Sequence, residues 1–198
     1  MSLRRLTTSL ALPVLLAASL AGCGMGLREI PYAMTQHQVA RASTEGMLPT
    51  IKPGDHVAIK PGYYDNRPVQ RFDIVAYKQR PDNMTFEGSD EEPIFLGRVI
   101  AFGGETVEFK GGGKVFVNKL PLEEPFETVP PDTSDPKRDP GRPYIQVPAG
   151  EYLVVGDNRA NSFDGRYWDK PGLPKRYIHG KVVRIFPQQE AAAPLPSP

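Results

Sequence analysis

Three short segments hold the residues on which any chemistry of this chain depends. They are residues 46–50 (Gly-Met-Leu-Pro-Thr), residues 95–100 (Phe-Leu-Gly-Arg-Val-Ile) and residues 156–168 (Gly-Asp-Asn-Arg-Ala-Asn-Ser-Phe-Asp-Gly-Arg-Tyr-Trp). The hydroxyls of Ser43 and Thr44 lie just before the first segment. A hydroxyl becomes a nucleophile when a nearby base, such as an imidazole or a neutral amine, accepts its proton. The question for these segments is therefore whether they contain such a pair.

No such pair is visible. Arg98 cannot serve as a base at ordinary pH, and in a strand its side chain points to the face opposite that of Gly97. Strand alternation also turns Ser43 away from Gly46, while Thr44 shares the parity of Gly46 at a distance of about 6.6 Å. The histidines lie outside the three segments, at His37, His56 and His179.

The third segment has a simpler structural interpretation. Asp164 and Arg166 stand two residues apart, which suits a local ion pair. We expect the other polar residues and the first glycine to tie a loop together. These residues are Gly156, Asp157, Asn158, Arg159 and Ser162.

The elements that position these segments are predicted to be short β-strands. The chain has 22 prolines and 19 glycines among 198 residues, which favours many turns and argues against a helical bundle. Segments rich in β-branched and aromatic residues, separated by turn residues, predict strands. They cover residues 55–60, 73–78, 94–102, 105–109, 114–118, 151–155 and 181–186, and the three glycines at 111–113 predict a hairpin. The expected fold class is mainly β and antiparallel, barrel-like, with a small hairpin subdomain.

Two long polar segments and a tail interrupt this pattern. Residues 80–93 and 122–143 are acidic, and the second also contains six prolines. Solvated loops are the favoured interpretation, and a partner-binding role is the alternative. The tail at 188–198 is rich in Ala and Pro, a composition typical of disorder.

The N-terminus reads as a targeting segment. Arg4 and Arg5 precede an apolar stretch from Leu10 to Leu20, and the sequence then reads Leu-Ala-Gly before Cys23. The stretch is shorter than the about 20 apolar residues that a membrane-spanning helix needs. This pattern predicts a lipoprotein signal peptide over residues 1–22 with acylation of Cys23; an ordinary signal peptide with an incidental thiol is the alternative. We expect a tether at 23–33 and a folded domain at 34–187.

Charge and cysteine content exclude several classes of function. The formal net charge is +1, which gives no electrostatic reason to expect nucleic acid as a partner. A single cysteine excludes an internal disulfide and a cysteine-based zinc site. We expect no metal and no cofactor.

Taken in order, the three segments at 46–50, 95–100 and 156–168 resemble the bacterial type I signal peptidases. These are membrane serine endopeptidases with a Ser–Lys dyad. Supporting matches are Gly-Asp-His-Val-Ala-Ile-Lys at 54–60, Arg-Phe-Asp-Ile-Val at 71–75, Gly-Gly-Glu-Thr-Val at 103–107, Val-Asn-Lys at 117–119 and Ile-His-Gly-Lys at 178–181. Phe72 stands where the family has glycine. The resemblance covers roughly residues 44 to 186.

The resemblance implies an antiparallel β fold with a shallow cleft that binds the end of a signal peptide as an extended strand. It also implies a nucleophilic serine at 46, a lysine base at 97 and a serine at 165, whereas this chain has Gly46, Gly97 and Gly165. Thr44 occupies a position that helps to stabilise the oxyanion in the family. Met47 and Pro49 are expected at the floor and turn of the cleft.

These observations predict a lipid-anchored protein of the cell envelope that binds a peptide or protein in an extended conformation, such as a signal peptide, without cleaving it. A serine protease scaffold without its reacting residues retains roughly 10³–10⁴-fold catalysis over water, below the about 10⁶-fold of working enzymes. One alternative is an active signal peptidase with an unrecognised nucleophile. The other is a structural envelope lipoprotein.

Overall fold

The computed structural model describes residues 37–78, 93–131 and 143–188. The predicted signal peptide, Cys23, the tether, most of the two acidic loops and nearly all of the tail lie outside these residues. The strands within the described ranges are β1 (Gln38–Arg41), β2 (His56–Pro61), β3 (Ile74–Tyr77), β4 (Phe95–Phe102), β5 (Thr106–Lys110), β6 (Lys114–Val117), β7 (Leu120–Pro121), β8 (Tyr144–Gln146), β9 (Glu151–Val155), β10 (Leu173–Pro174) and β11 (Ile178–Phe186).

The strands form two sheets. The larger sheet has seven strands in the order β1-β2-β11-β3-β4-β9-β10, and the smaller has four in the order β7-β6-β5-β8. Every strand pair recorded within these sheets is antiparallel. The predicted fold class, mainly β and antiparallel, is therefore confirmed. A 3₁₀ turn at Gly111–Gly113 joins β5 to β6, where the three glycines predict a hairpin.

Apolar side chains hold the sheets together in three clusters. One joins β4 and β9 of the large sheet to the small sheet, through contacts such as Ile100 and Leu153 with Val107 and Ile145. A second includes Trp168, and the third is described with the site below. Burying a side chain of this size contributes about 1.5–3 kcal/mol, so these clusters fix the relative positions of β4, β9 and the loops that follow them.

No helix in the described ranges combines the length and the apolar character needed to cross a membrane.

Candidate functional site

A cleft of about 470 Å³ lies where the three segments meet. It is lined by residues 40–44 with Gly46 and Met47, by residues 93–96 and by residues 161–163. Met47 belongs to an apolar cluster with Ile51 and residues of β2 and β3, against which Leu96 packs. This cluster forms the floor of the cleft. Pro49 is half-buried and does not line it.

Three serine and threonine residues line the cleft together with Gly46: Ser43, Thr44 and Ser162. A Cβ atom at position 46 would lie 3.5 Å from the Ser162 Oγ and 3.9 Å from the Thr44 Oγ1, both ordinary contact distances. Strand alternation does not apply to Ser43, because β1 ends at Arg41 and residues 44–50 form bends and turns rather than a strand.

The described residues that line the cleft offer these hydroxyls no base. Among the described residues that line it, Arg41 is the only basic side chain, with no lysine and no histidine. A guanidinium stays protonated and cannot accept the proton of an attacking hydroxyl. Ser162 was expected only to support its loop, and its presence in the cleft could not be read from the sequence.

Gly97, where the resemblance expects lysine, is a packed position rather than an open one. A Cβ atom there would lie 2.4 Å from Cγ1 of Val154 and 3.6 Å from Cε1 of Tyr77. Val154 is fully buried, and Tyr77 lines the cleft. Gly97 itself does not line the cleft, and Val154 occupies the space that a side chain at 97 would enter.

Gly165 does not belong to the cleft. A Cβ atom at this position would approach Leu153 Cδ1 at 2.8 Å and two backbone carbonyl oxygens at 2.9 and 3.0 Å. Its own N–H donates to the carbonyl of Val154 at 3.1 Å. The structure thus brings Gly46 and Ser162 together and places Gly165 against the backbone of β9.

Backbone contacts hold the first and third segments together. The N–H of Asn158 donates to the carbonyl of Gly46 at 3.1 Å, and its side-chain amide donates to the carbonyl of Glu45 at 3.1 Å. A Cβ atom at Gly156 would lie only 2.4 Å from the carbonyl oxygen of Gly46. Glycine is required at 156 because any side chain would separate the two segments.

Arg98 points away from the cleft into a buried ion pair. Its Nε and Nη2 donate to the two carboxylate oxygens of Asp157 at 2.8 and 2.6 Å. Thr50 donates its hydroxyl proton to the same carboxylate at 2.5 Å, and the ring of Phe126 lies 3.9 Å from the guanidinium carbon. Because such bidentate charge-assisted bonds are directional, this pair fixes the first segment against β4 and the third segment.

Phe72 supports this pair in an unusual conformation. Its φ is 74°, in the left-handed region that favours glycine, which gives a physical reason for the glycine that the resemblance expects here. Its carbonyl accepts a hydrogen bond from Arg98 Nη1 at 2.9 Å, and its ring packs edge-on against Phe126. These contacts offset the strain of placing a bulky residue there.

The remaining charges of the third segment are paired within the structure. Asp164 accepts from Arg166 Nε at 2.9 Å and from Nη2 at 2.8 Å, and also from the N–H of Gly156 at 3.0 Å. Burial lowers the pKa of Arg166, but its hydrogen bonds to Asp164 outweigh burial and raise it. Arg159 pairs with Glu124 at 2.6 Å. These side chains stabilise the loop and do not point into the cleft.

Substitution by alanine is expected to destabilise the fold at Gly97 but not at Gly46. Gly97→Ala should lower the free energy of unfolding by about 1–3 kcal/mol, because its Cβ meets the buried and stiff side chain of Val154. Gly46→Ala is the matched control and should change stability by less than about 0.5 kcal/mol. Chemical denaturation of both variants tests this; equal stability of the two would contradict the packing described at Gly97.

Comparison with known proteins bears directly on this site. The family described as signal peptidase, peptidase S26 matches residues 15–186, which is most of the chain. The chain belongs to this family. The match includes all three segments that form the cleft.

The chain is similar to signal peptidase I of Leptolyngbya laminosa, with 35% identity over 146 residues covering 73% of this chain and 66% of that protein. It is 31% identical to signal peptidase I of Pseudomonas aeruginosa, covering 71% of this chain and 61% of that protein. The chain thus spans about two thirds of these relatives or less. A crystal structure of a signal peptidase I from Enterococcus faecalis aligns with 59% of this chain and 98% of its own, with 25% identity and a TM-score of 0.41.

Proposed function

We propose that this chain is a non-catalytic member of the signal peptidase I family that binds an extended peptide in the cleft around Gly46. The observation that carries the proposal is the composition of the cleft. It contains hydroxyls but, among the described residues, no amine or imidazole that could activate one of them.

The position of β1 supports binding of an extended peptide. This strand lies at the edge of the seven-stranded sheet, and its residues Ala40 and Arg41 line the cleft. A free strand edge pairs with an extended peptide through main-chain hydrogen bonds, while alternate side chains enter pockets. A peptide bound here would run between β1 and residues 93–96.

The cleft has the size and composition of a ligand site. Its volume of about 470 Å³ falls within the roughly 300–1,000 Å³ typical of small-ligand pockets. Its walls combine apolar side chains, namely Met47, Ile94 and Leu96, with the hydroxyls near Gly46. Since Gly46 contributes no side chain, the site accepts a bulkier group there than a serine would allow.

We further propose that the protein is anchored in the cell envelope through an acylated Cys23 and faces away from the cytoplasm. The basic, apolar and Leu-Ala-Gly-Cys pattern of residues 4–23 supports this. Each buried CH₂ of an acyl chain contributes about 0.8 kcal/mol to membrane binding. Mass spectrometry of the protein from its native membranes, with Cys23→Ser as control, tests the anchor separately from the cleft.

An active peptidase is the second candidate, favoured by one observation: the hydroxyls of Ser162 and Thr44 lie within 4 Å of the place that a Cβ atom at Gly46 would take, and Ser43 also lines the cleft. Without a base, each remains a weak nucleophile. If a slow cleavage exists, replacing one of Ser43, Thr44 or Ser162 by alanine should abolish it and identify the nucleophile.

The cleft proposal is tested by titrating the full chain with a fluorescent signal-peptide-derived peptide and checking the peptide for cleavage. Gly46→Phe should fill the cleft and weaken binding at least about tenfold. Gly111→Phe is the control, because a Cβ at Gly111 meets no atom within 4 Å and Gly111 does not line the cleft. Equal binding by both variants would overturn the cleft as the peptide site.

A further inference from the structure

A second cavity lies at a different part of the large sheet and shares no lining residue with the cleft. Its volume is about 450 Å³. Three nitrogen-bearing side chains line it, those of Lys78, Arg176 and His179, together with one carboxylate, Asp65. The cleft function uses none of them.

Backbone hydrogen bonds build this cavity from three elements. The turn after β2 is held to the start of β11 by the N–H of Gly62, which donates to the carbonyl of His179 at 3.1 Å. Lys78, the residue after β3, is held to the 3₁₀ turn at Lys175–Tyr177 that precedes β11. Its N–H donates to the carbonyl of Tyr177 at 3.2 Å. Lys78 thus lies directly after β3, and Arg176 lies in the 3₁₀ turn that leads into β11.

Lys78 and Arg176 have no carboxylate partner among the described residues. The recorded ion pairs of the described chain do not include Lys78 or Arg176. The Arg176 guanidinium lies 4.6 Å from the ring centroid of Tyr177 and donates to its hydroxyl oxygen at 3.3 Å. This stacking orients the guanidinium and leaves other N–H groups available to a ligand.

The pKa of His179 depends on the charges around the cavity. Burial lowers its pKa, and the nearby charge of Lys78 lowers it further. Its Nε2 lies 2.7 Å from the side-chain oxygen of Gln38. With His179 neutral, Lys78 and Arg176 outweigh the single charge of Asp65, and the described residues that line the cavity carry a net positive charge.

We propose that this cavity binds a phosphate-type anion, and that its source is the headgroup of an anionic phospholipid. A lysine ammonium and an oriented guanidinium are the groups that proteins use to bind phosphate. The choice of a lipid rests on the proposed anchor. Gln38 contacts His179, which lines the cavity. The 15 residues from Cys23 to His37 span at most about 50 Å, so an anchored chain keeps the cavity within reach of the membrane surface.

The experiment uses the full chain with Cys23→Ser, which cannot be acylated, so that binding does not depend on the anchor. Inorganic phosphate is titrated while the imidazole signals of His179 are followed by NMR. Binding is expected to raise the pKa of His179, because a bound anion stabilises the imidazolium. Because the full chain is used, the measurement also takes in the effect of the acidic residues that follow Lys78 in sequence.

Three variants define the expected pattern. Lys78→Gln with Arg176→Gln should weaken binding of phosphate at least about tenfold, and Asp65→Asn should strengthen it about fivefold. Lys114→Gln with Lys170→Gln removes the same charge from exposed positions outside the cavity and should change binding less than about twofold. A gain from Asp65→Asn cannot arise from unfolding, so it separates a site from general destabilisation.

Vesicles distinguish the source of the anion. The Cys23→Ser chain should sediment with phosphatidylglycerol vesicles but not with phosphatidylcholine vesicles. The variants should rank in the same order for vesicle binding as for phosphate binding, and this result would support the lipid headgroup. Phosphate binding without vesicle binding would overturn the lipid as source. An unchanged His179 signal in phosphate, or equal effects of the cavity and control variants, would overturn the site itself without bearing on peptide binding in the cleft.

Discussion

Replacement of Arg98 by methionine is expected to lower the free energy of unfolding by about 3–5 kcal/mol. The substitution leaves the Asp157 carboxylate, whose side chain is 0% exposed, without its cation. Thr50 alone remains as a side-chain donor to it. Urea denaturation monitored by circular dichroism gives the value directly.

Arg71→Met is the matched control for this prediction. Arg71 also forms a 2.7 Å ion pair, with Glu105, but its side chain is 24% exposed. Water screens this pair, and such pairs contribute about 0–1 kcal/mol. Similar losses in the two variants would show that the Arg98–Asp157 pair does not hold the three segments together as described.

The second large effect concerns catalysis. Gly46→Ser combined with Gly97→Lys is expected to cleave a peptide substrate faster than the parent chain does, because a positioned base contributes about 10²–10⁴-fold. A lysine at 97 would enter apolar surroundings beside Val154 and Tyr77. Such surroundings lower the pKa of an amine and favour the neutral form that accepts a proton.

Packing at Val154 determines how this experiment must be built. Because a Cβ at 97 would lie 2.4 Å from Val154 Cγ1, the variant should also be made with Val154→Ala. Gly46→Ser with Gly97→Met and Val154→Ala is the control, since methionine has similar length and no amine. Gly165 is left unchanged, because a side chain there would meet backbone atoms outside the cleft. Equal cleavage by the lysine and methionine variants would contradict the proposed role of position 97.

The sequence predicted most of the fold because its principal strands are rich in valine and isoleucine. Each strand predicted from such a run has a counterpart, and β2 at 56–61 and β4 at 95–102 lie within one residue of their predicted ends. The strands that were missed, β1, β7, β8 and β10, have two to four residues. Strands this short carry little pattern of their own, and their tertiary partners determine them.

The composition of the cleft was less accessible from the sequence. Alternation along β4 was enough to separate the side of Gly97 from that of Arg98, because both belong to one strand. The contact between positions 46 and 162 could not be predicted in this way, since it depends on hydrogen bonds between segments more than 100 residues apart. The filling of the space beside Gly97 by Val154 depends on the register of β4 and β9, which no local pattern gives.

The most direct test of non-catalytic binding is mass spectrometry of a signal-peptide substrate incubated with the full wild-type chain at saturating concentration. We expect the bound peptide to be hydrolysed no faster than the same peptide without the protein. Cleavage that is lost in Ser162→Ala or Thr44→Ala would contradict the account, because it would show that a cleft hydroxyl is activated without the lysine.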